Sequence, residues 1–176
     1  MTDVQPLLDE EEDVDFDPKP YARLKLEWHV VNKAYQVGAI LGSLASLPWS
    51  YYKHRSLNLK SMLGSAGKTM IAVELLLGAM GYYKVMSIKE DEGVEDRVYR
   101  LHYNEGQNRV DKLAGSGAVI GAVSSGLGLA SSAGLLNALL GGAAYGTAVG
   151  IVAHVATYSV PEDQKTKNKM IKEVME

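Results

Sequence analysis

The 176-residue sequence has no cysteine, little net charge and one long stretch without any charged residue. Without cysteine, the chain can form no disulfide, no thiolate metal site and no cysteine nucleophile. No Asp, Glu, Lys or Arg occurs in the 49 residues from Leu113 to Pro161. A surface helix of a soluble domain needs charged residues on its wet face, so this stretch is typical of membrane-embedded helices. The net charge of -3 argues against nucleic acid as the main partner.

The hydrophilic ends of the chain are unlike cleaved targeting peptides. Eight acidic residues lie between Asp3 and Asp17, whereas a secretory signal begins with basic residues and a transit peptide is Arg-rich and poor in acids. Any organellar targeting is therefore expected to be internal. We interpret residues 1–29 as an acidic N-terminal extension, either a solvated, disordered tail or a docking segment for a basic partner surface. Residues 161–176 are expected to form a hydrophilic C-terminal tail.

Four apolar segments predict an all-α membrane protein with four transmembrane helices. The first uncharged run covers 19 residues, 34 to 52, and reaches roughly 28 Å as a helix, close to a hydrocarbon core of about 30 Å. The uncharged block that starts at Leu113 is long enough for two spans with a break near Gly134. The alternative is a soluble set of Gly-rich helices buried in a larger assembly. Within a transmembrane domain at 30–160, which a hydrophilic loop at 84–112 interrupts, the predicted helices cover about residues 30–52, 67–85, 113–131 and 135–159.

Glycine placement predicts how these helices pack. Sixteen of the 18 glycines lie in or beside the four segments, and many recur four residues apart. Lipid provides no hydrophobic force between helices, so small residues that let two backbones approach closely supply the packing. Glycine is otherwise a poor helix former, costing about 1 kcal/mol relative to alanine in water. The predicted helix-packing glycines are Gly38, Gly42, Gly117, Gly121, Gly142, Gly146 and Gly150.

Two polar residues inside the apolar segments are candidates for an intramembrane role. Glu74 shares a helix face with Met70 and Gly78, and an intramembrane carboxylate usually faces a neighbouring helix or a cavity. It would belong either to a proton or substrate path or to a structural hydrogen bond between helices. His154 lies four residues after Gly150 and continues its stripe. We expect it to face a neighbouring helix, either as a packing residue or as a partner of Glu74.

No constellation of residues predicts an active site. Residues 63–69 (LGSAGKT) resemble a phosphate-binding loop, but Met62 occupies the position where that loop needs its first glycine. His29, His54 and His102 are far apart and give no metal-ligand spacing. No Ser-His-acid arrangement can be argued either. We therefore expect a protein that is not an enzyme, with no catalytic residue, no bound cofactor and no metal site.

The pattern resembles the Tim-type superfamily of inner-membrane translocases over most of the chain. That superfamily has four short membrane helices, a small residue and an aromatic late in the second helix, and a small-Gly-x3-Gly run in the third. Ala79 and Tyr82 match the first part of this signature, and residues 116–121 match the last part. Arg109 and Asp111 lie between the two parts, closer together and nearer to the third helix than in the superfamily pattern.

This resemblance implies a location and two alternative functions. The superfamily includes an accessory subunit of respiratory complex I, and the chain is most similar to that kind of member. The implied function is a non-catalytic subunit that stabilises and assembles the membrane arm of NADH:ubiquinone oxidoreductase in the mitochondrial inner membrane. The implied partners are other membrane-arm subunits and membrane lipids, cardiolipin among them, and no nucleic acid. The alternative is a component of an inner-membrane protein import translocase or transport complex.

The basic loop between the first two segments predicts the orientation. It carries Lys53, Arg55, Lys60 and Lys68 and no acid, so the positive-inside rule places it on the matrix side. By number alone, the opposite side holds more Lys and Arg. The resemblance decides between the two orientations, because the superfamily arrangement puts both termini in the intermembrane space.

Overall fold

The computed structural model describes residues 16–159, and this part of the chain is all-helical, with no strand. The predicted all-α class is therefore confirmed. Most of the predicted acidic extension and the whole predicted C-terminal tail lie outside the described residues. The five helices are α1 (Ala22–His54), α2 (Leu59–Met86), α3 (Asp91–His102), α4 (Glu105–Ala133) and α5 (Leu135–Thr157).

Three of the described helices, not four, are long and apolar enough to cross a membrane: α2, α4 and α5. The prediction of a fourth span at about 30–52 is corrected here, although α1 is a continuous helix of 33 residues. The physical reason is composition, because the uncharged run of α1 contains Gln36, Ser43 and Ser46 as well as several Tyr and Trp side chains. These residues carry no formal charge but are poorly soluble in hydrocarbon, so counting charges alone overestimated the segment.

Asparagine caps begin two helices earlier than the apolar pattern predicted. The Asn58 side chain accepts a hydrogen bond of 3.0 Å from the backbone N–H of Ser61. The Asn104 side chain likewise accepts one of 2.9 Å from Gln107. Each cap satisfies a backbone donor that a helix start leaves without an intrahelical partner. Consequently α2 and α4 begin several residues before the apolar part of each segment, and α4 takes up part of the predicted loop at 84–112.

A short amphipathic helix, α3, occupies much of the same loop. Its inner face is formed by Val94 and Val98, which are fully buried or nearly so. They pack against Leu26 of α1 and Val85 of α2 in a small hydrophobic cluster. The alternating residues at 98–103, which allowed either a strand or an interface helix, lie largely within this helix.

A single residue, Gly134, joins α4 to α5. Its φ of 83° and ψ of 140° form a combination that L-residues with a side chain rarely adopt. The backbone N–H of Gly134 still bonds to Ala130 O at 2.9 Å, and its carbonyl accepts from Ala138 at 2.9 Å. The break expected near this position is therefore a one-residue turn that keeps both helix ends hydrogen-bonded.

Two helical hairpins make up the bundle. The most extensive contacts are between α4 and α5 and between α1 and α2, and the hairpins join through α2 and α5. The α1–α2 turn at residues 55–58 lies at the same end of the bundle as Gly134, because Leu63 packs with Ala133 and Ala138. We call this the hairpin end, and the opposite end, which carries α3, the α3 end.

Candidate functional site

The α4–α5 interface is a glycine seam in which two backbones touch directly. A Cβ atom added to Gly117 would overlap the carbonyl oxygen of Gly146, and one added to Gly146 would overlap that of Gly117. Gly121 and Gly142 are related in the same reciprocal way. At the α3 end of the seam, Gly150 lies against the carbonyl oxygen of Leu113. Four of the α4–α5 contacts therefore leave no room for any side chain.

The α1–α2 interface uses glycine on one side only. A Cβ on Gly38 would stand 2.6 Å from Met70 O, and one on Gly42 would stand 2.5 Å from Ala66 O. Both distances are shorter than real Cβ contacts, so these positions accept glycine alone without a shift of the backbone. The structure thus places all seven glycines predicted for packing at helix–helix contacts.

A third glycine contact, between the two hairpins, was not predicted. A Cβ on Gly67 of α2 would meet Leu140 Cβ at 2.7 Å, and one on Gly141 of α5 would overlap the carbonyl oxygen of Leu63. The sequence analysis took Gly67 only as part of a helix start. The available signal was the pair Gly141-Gly142, because successive residues point about 100° apart on a helix and can serve two different neighbours.

Two hydroxyl contacts connect α1 with α5 beside these seams. The Tyr35 hydroxyl lies 2.5 Å from Thr147 Oγ1, and Ser46 Oγ is hydrogen-bonded to the Tyr145 hydroxyl. Thr147 and Ser46 are almost completely buried. Polar groups buried in this way need a partner, and each of these pairs supplies one. The contacts fix the height at which α1 packs along α5.

An ionic cluster at the α3 end ties α1 to α4 around Asp111. Its Oδ1 atom pairs with Lys33 Nζ and accepts a hydrogen bond of 2.6 Å from Gln36 Nε2. Gln107 Nε2, one turn earlier on α4, donates to the same oxygen at 3.3 Å. His29 Nδ1 lies 3.8 Å from Asp111 Oδ2. The cluster draws on both hairpins and is only partly exposed to solvent.

The protonation of His29 is set by this cluster. Burial lowers the pKa of His29 below its ordinary value of 6.5, the positive charge of Lys33 lowers it further, and Asp111 opposes both. The first two causes outweigh the third. The imidazole is therefore held in its neutral form at neutral pH.

Arg109 fastens the start of α4 to the end of α5. Its guanidinium contacts His154 Nδ1 at 3.2 Å and donates to Thr157 Oγ1 at 2.7 Å and to the His154 carbonyl at 3.4 Å. The same guanidinium lies 5.8 Å from the ring centre of Tyr158, which stacks on His154. A cation here also complements the partial negative charge at the helix C-terminus. His154 is thus a contact residue between helices.

The structure does not pair the two intramembrane candidates with each other. Glu74 is half-buried on α2, one turn beyond Met70, and lies within electrostatic range of the Tyr35 hydroxyl. Within residues 16–159, no ion pair joins Glu74 to His154. The partner that the sequence suggested for His154 is replaced by Arg109.

A further bond anchors α3 to the bundle. Arg23 of α1 bonds to Asp91 of α3 through Nη2 at 2.6 Å and through Nε at 3.1 Å. Its Nη2 also donates to the Ile88 carbonyl at 3.0 Å, just after α2 ends. One side chain therefore holds three helices together, although its exposure limits what the ion pair contributes.

The segment that resembles a phosphate-binding loop is part of α2. Residues 63–69 have continuous helical backbone, so their amide groups bond along the helix and cannot curl around a phosphate. Over residues 16–159, no group of three or more His, Asp or Glu side chains is placed to hold a metal ion.

Glycine seams, buried hydroxyl pairs and three apolar helices together define a helical protein whose backbones pack closely and whose composition suits a membrane. The chain belongs to the family described as protein of unknown function DUF1757, whose profile matches residues 9–157. The match includes all five helices and every glycine of the seams. A comparison with curated proteins finds none that matches this chain.

Proposed function

We propose that this protein is a non-catalytic accessory subunit of mitochondrial respiratory complex I that stabilises and assembles its membrane arm. The observation that carries the proposal is the glycine seam between α4 and α5, in which carbonyl oxygens occupy the space of the missing side chains. Such a contact makes a rigid, thin element that neighbouring helices can pack against. Similarity to the Tim-type superfamily supplies the particular complex.

The outer face of α4 supports a role in contacting other subunits or lipid. Val119, Ile120, Val123 and Leu127 are between 52% and 86% exposed although they lie in the middle of an apolar helix. Their spacing puts them on one side of the helix, away from the seam at Gly121. A large exposed apolar face needs lipid tails or another protein to cover it. A subunit with its inner faces sealed by glycine and its outer faces apolar fits the edge of a membrane arm.

The charge of the hairpin end supports the proposed orientation in the inner membrane. No Asp or Glu occurs between Glu27 and Glu74, while the turn region carries Lys53, Arg55 and Lys60. Under the positive-inside rule this end faces the matrix. The α3 end, and with it both termini, then faces the intermembrane space.

Comigration on a native gel tests the proposal. Mitochondria solubilised in mild detergent are separated by native electrophoresis, stained in the gel for NADH dehydrogenase and analysed for this chain by mass spectrometry. We expect the chain in the stained band of complex I. Its presence only in a smaller, unstained complex would contradict the proposal.

One observation favours the alternative function, a component of an inner-membrane import translocase or transport complex. Glu74 is a half-buried carboxylate on a membrane-length helix, which is the type of residue that lines a substrate or ion path. Crosslinking from position 74 to precursor proteins in transit would favour this candidate. Loss of import with Glu74→Gln, while complex I assembles normally, would favour it as well.

A further inference from the structure

Two adjoining cavities open at the hairpin end between α1 and α2. The larger, of about 510 Å³, is lined by basic and polar side chains that include Lys53, Lys60 and Lys68. The smaller, of about 340 Å³, is lined by Ala45 and Thr69 together with Trp49, Ser65 and Lys68, and these last three residues also line the larger cavity. The pair therefore forms one polar compartment continuous with one less polar compartment.

The larger cavity has positive charge without a balancing carboxylate. Three lysines and His54 line it, and none of its lining residues is acidic. Asn58 and Asn137 add amide groups on two further sides. Lysine is a common binder of phosphate because its ammonium group acts as a mobile point charge. Basic pockets between membrane helices on the matrix side suit the head groups of anionic lipids.

The smaller cavity has the composition expected around an acyl chain. Ala45 and Trp49 are exposed residues on one side of α1, and Trp49 retains 54% exposure. Tryptophan favours the boundary between head groups and hydrocarbon because its ring is apolar and its N–H is polar. Lys68 lies where the two cavities meet, and its long stem can pass along apolar surface while its ammonium group reaches the polar compartment.

We propose that these cavities bind one anionic phospholipid, with its phosphate among Lys53, Lys60 and Lys68 and an acyl chain beside Trp49. The proposal rests on the membrane placement included in the proposed function and not on membership in complex I. The bound lipid would join α1 to α2 at the hairpin end and fill space that the protein leaves open. The chemistry recognised is a phosphate diester attached to an acyl chain.

Lipid retention by the purified full-length chain tests this site. The wild-type chain is reconstituted in phosphatidylcholine vesicles, titrated with cardiolipin or phosphatidylglycerol, and assayed by native mass spectrometry for retained lipid. The variant carries Lys53→Gln, Lys60→Gln and Lys68→Gln together. The matched control carries the same charge loss at the α3 end, through Lys84→Gln, Lys89→Gln and Lys112→Gln.

The triple variant at the cavity is expected to bind the anionic lipid roughly 100-fold more weakly, since each lysine near an anionic head group contributes about fivefold. The control is expected to bind as the wild type does. Equal retention by wild type and cavity variant, or an equal loss in the control, would overturn the site. A second variant, Ala45→Phe, should reduce lipid retention while leaving the lysines in place.

The remaining arms separate the lipid from other causes. Inorganic phosphate at millimolar concentration should fail to displace the lipid, and displacement would show a free-phosphate site instead. If the wild-type chain does not enter vesicles at all, the membrane placement fails and the site fails with it. Selective lipid binding by a chain that does not migrate with complex I would sustain the site and contradict only the proposed function.

Discussion

Gly117 of α4 and Gly146 of α5 lie back to back, so that the carbonyl oxygen of each fills the position of the other's missing Cβ atom. The contact is reciprocal, and a substitution on either side meets backbone that cannot rotate away. A flexible side chain could yield, but a helical carbonyl is fixed by its own hydrogen bond. This pair is the centre of the seam that we take as the basis of the protein's function.

Gly146→Ala is expected to destabilise the α4–α5 hairpin by about 1–3 kcal/mol, the usual cost of overpacking a closed contact. Gly128→Ala provides the matched control, because Gly128 lies on the same hairpin with nothing within 4 Å of an added Cβ. There the substitution should be neutral or stabilise by up to about 1 kcal/mol, since alanine is the better helix former. Unfolding in a denaturing detergent measures both changes. Equal stability of the two variants would contradict the seam.

Asp111→Asn is expected to destabilise the chain by about 1.5–3 kcal/mol, the cost of losing hydrogen bonds to a charged group. The change leaves Lys33 partly buried without its counterion, although an asparagine oxygen can still accept from Gln36. The control is Asp96→Asn, which breaks an exposed pair with Arg100 on one helix. Exposed pairs of this kind contribute less than about 1 kcal/mol. A loss at position 111 no larger than that at position 96 would show that the cluster is not structural.

Arg109→Lys is expected to loosen the last turn of α5, because lysine cannot reach His154 and Thr157 with one planar fork. Hydrogen exchange of the backbone amides in residues 150–157 should become faster, while exchange near Gly134 stays unchanged. Arg97→Lys, at an exposed position on α3, serves as the control. Unchanged exchange at the end of α5 would count against this contact.

Acidification is expected to weaken the link between α1 and α4. Because the pKa of His29 is below 6.5 in the folded chain, the unfolded chain binds the proton more readily. Stability therefore holds above about pH 6.5 and falls as the pH drops from there through the folded pKa. His29→Gln should reduce this acid-side loss, and His102→Gln at the exposed end of α3 should not. Identical pH profiles for the wild type and His29→Gln would refute the assignment.

The glycine positions show what the sequence could reveal. A four-residue spacing names the residues on one helix face, which is why Gly117, Gly121, Gly142 and Gly146 could be selected before their neighbours were visible. The pattern does not say which two helices meet. The contact of Gly67 with α5 depends on how the hairpins pair, and that information is not local to either helix.

Two other differences have specific physical causes. The span expected in α1 was overestimated because Gln36 and the buried serines carry no charge and so passed a count of charged residues. The partner of His154 was misjudged because Arg109 was assigned to a loop. The Asn104 cap extends α4 back through that loop and brings Arg109 level with the end of α5.

The most direct test of the central claim is the assembly of complex I in cells depleted of this chain and supplied with replacement copies. The amount of assembled complex is read as NADH dehydrogenase staining on a native gel. We expect the stained band to be lost on depletion, to return with the wild type and with Gly128→Leu, and to stay low with Gly146→Leu. Normal assembly without the chain, or full recovery with Gly146→Leu, would contradict the account.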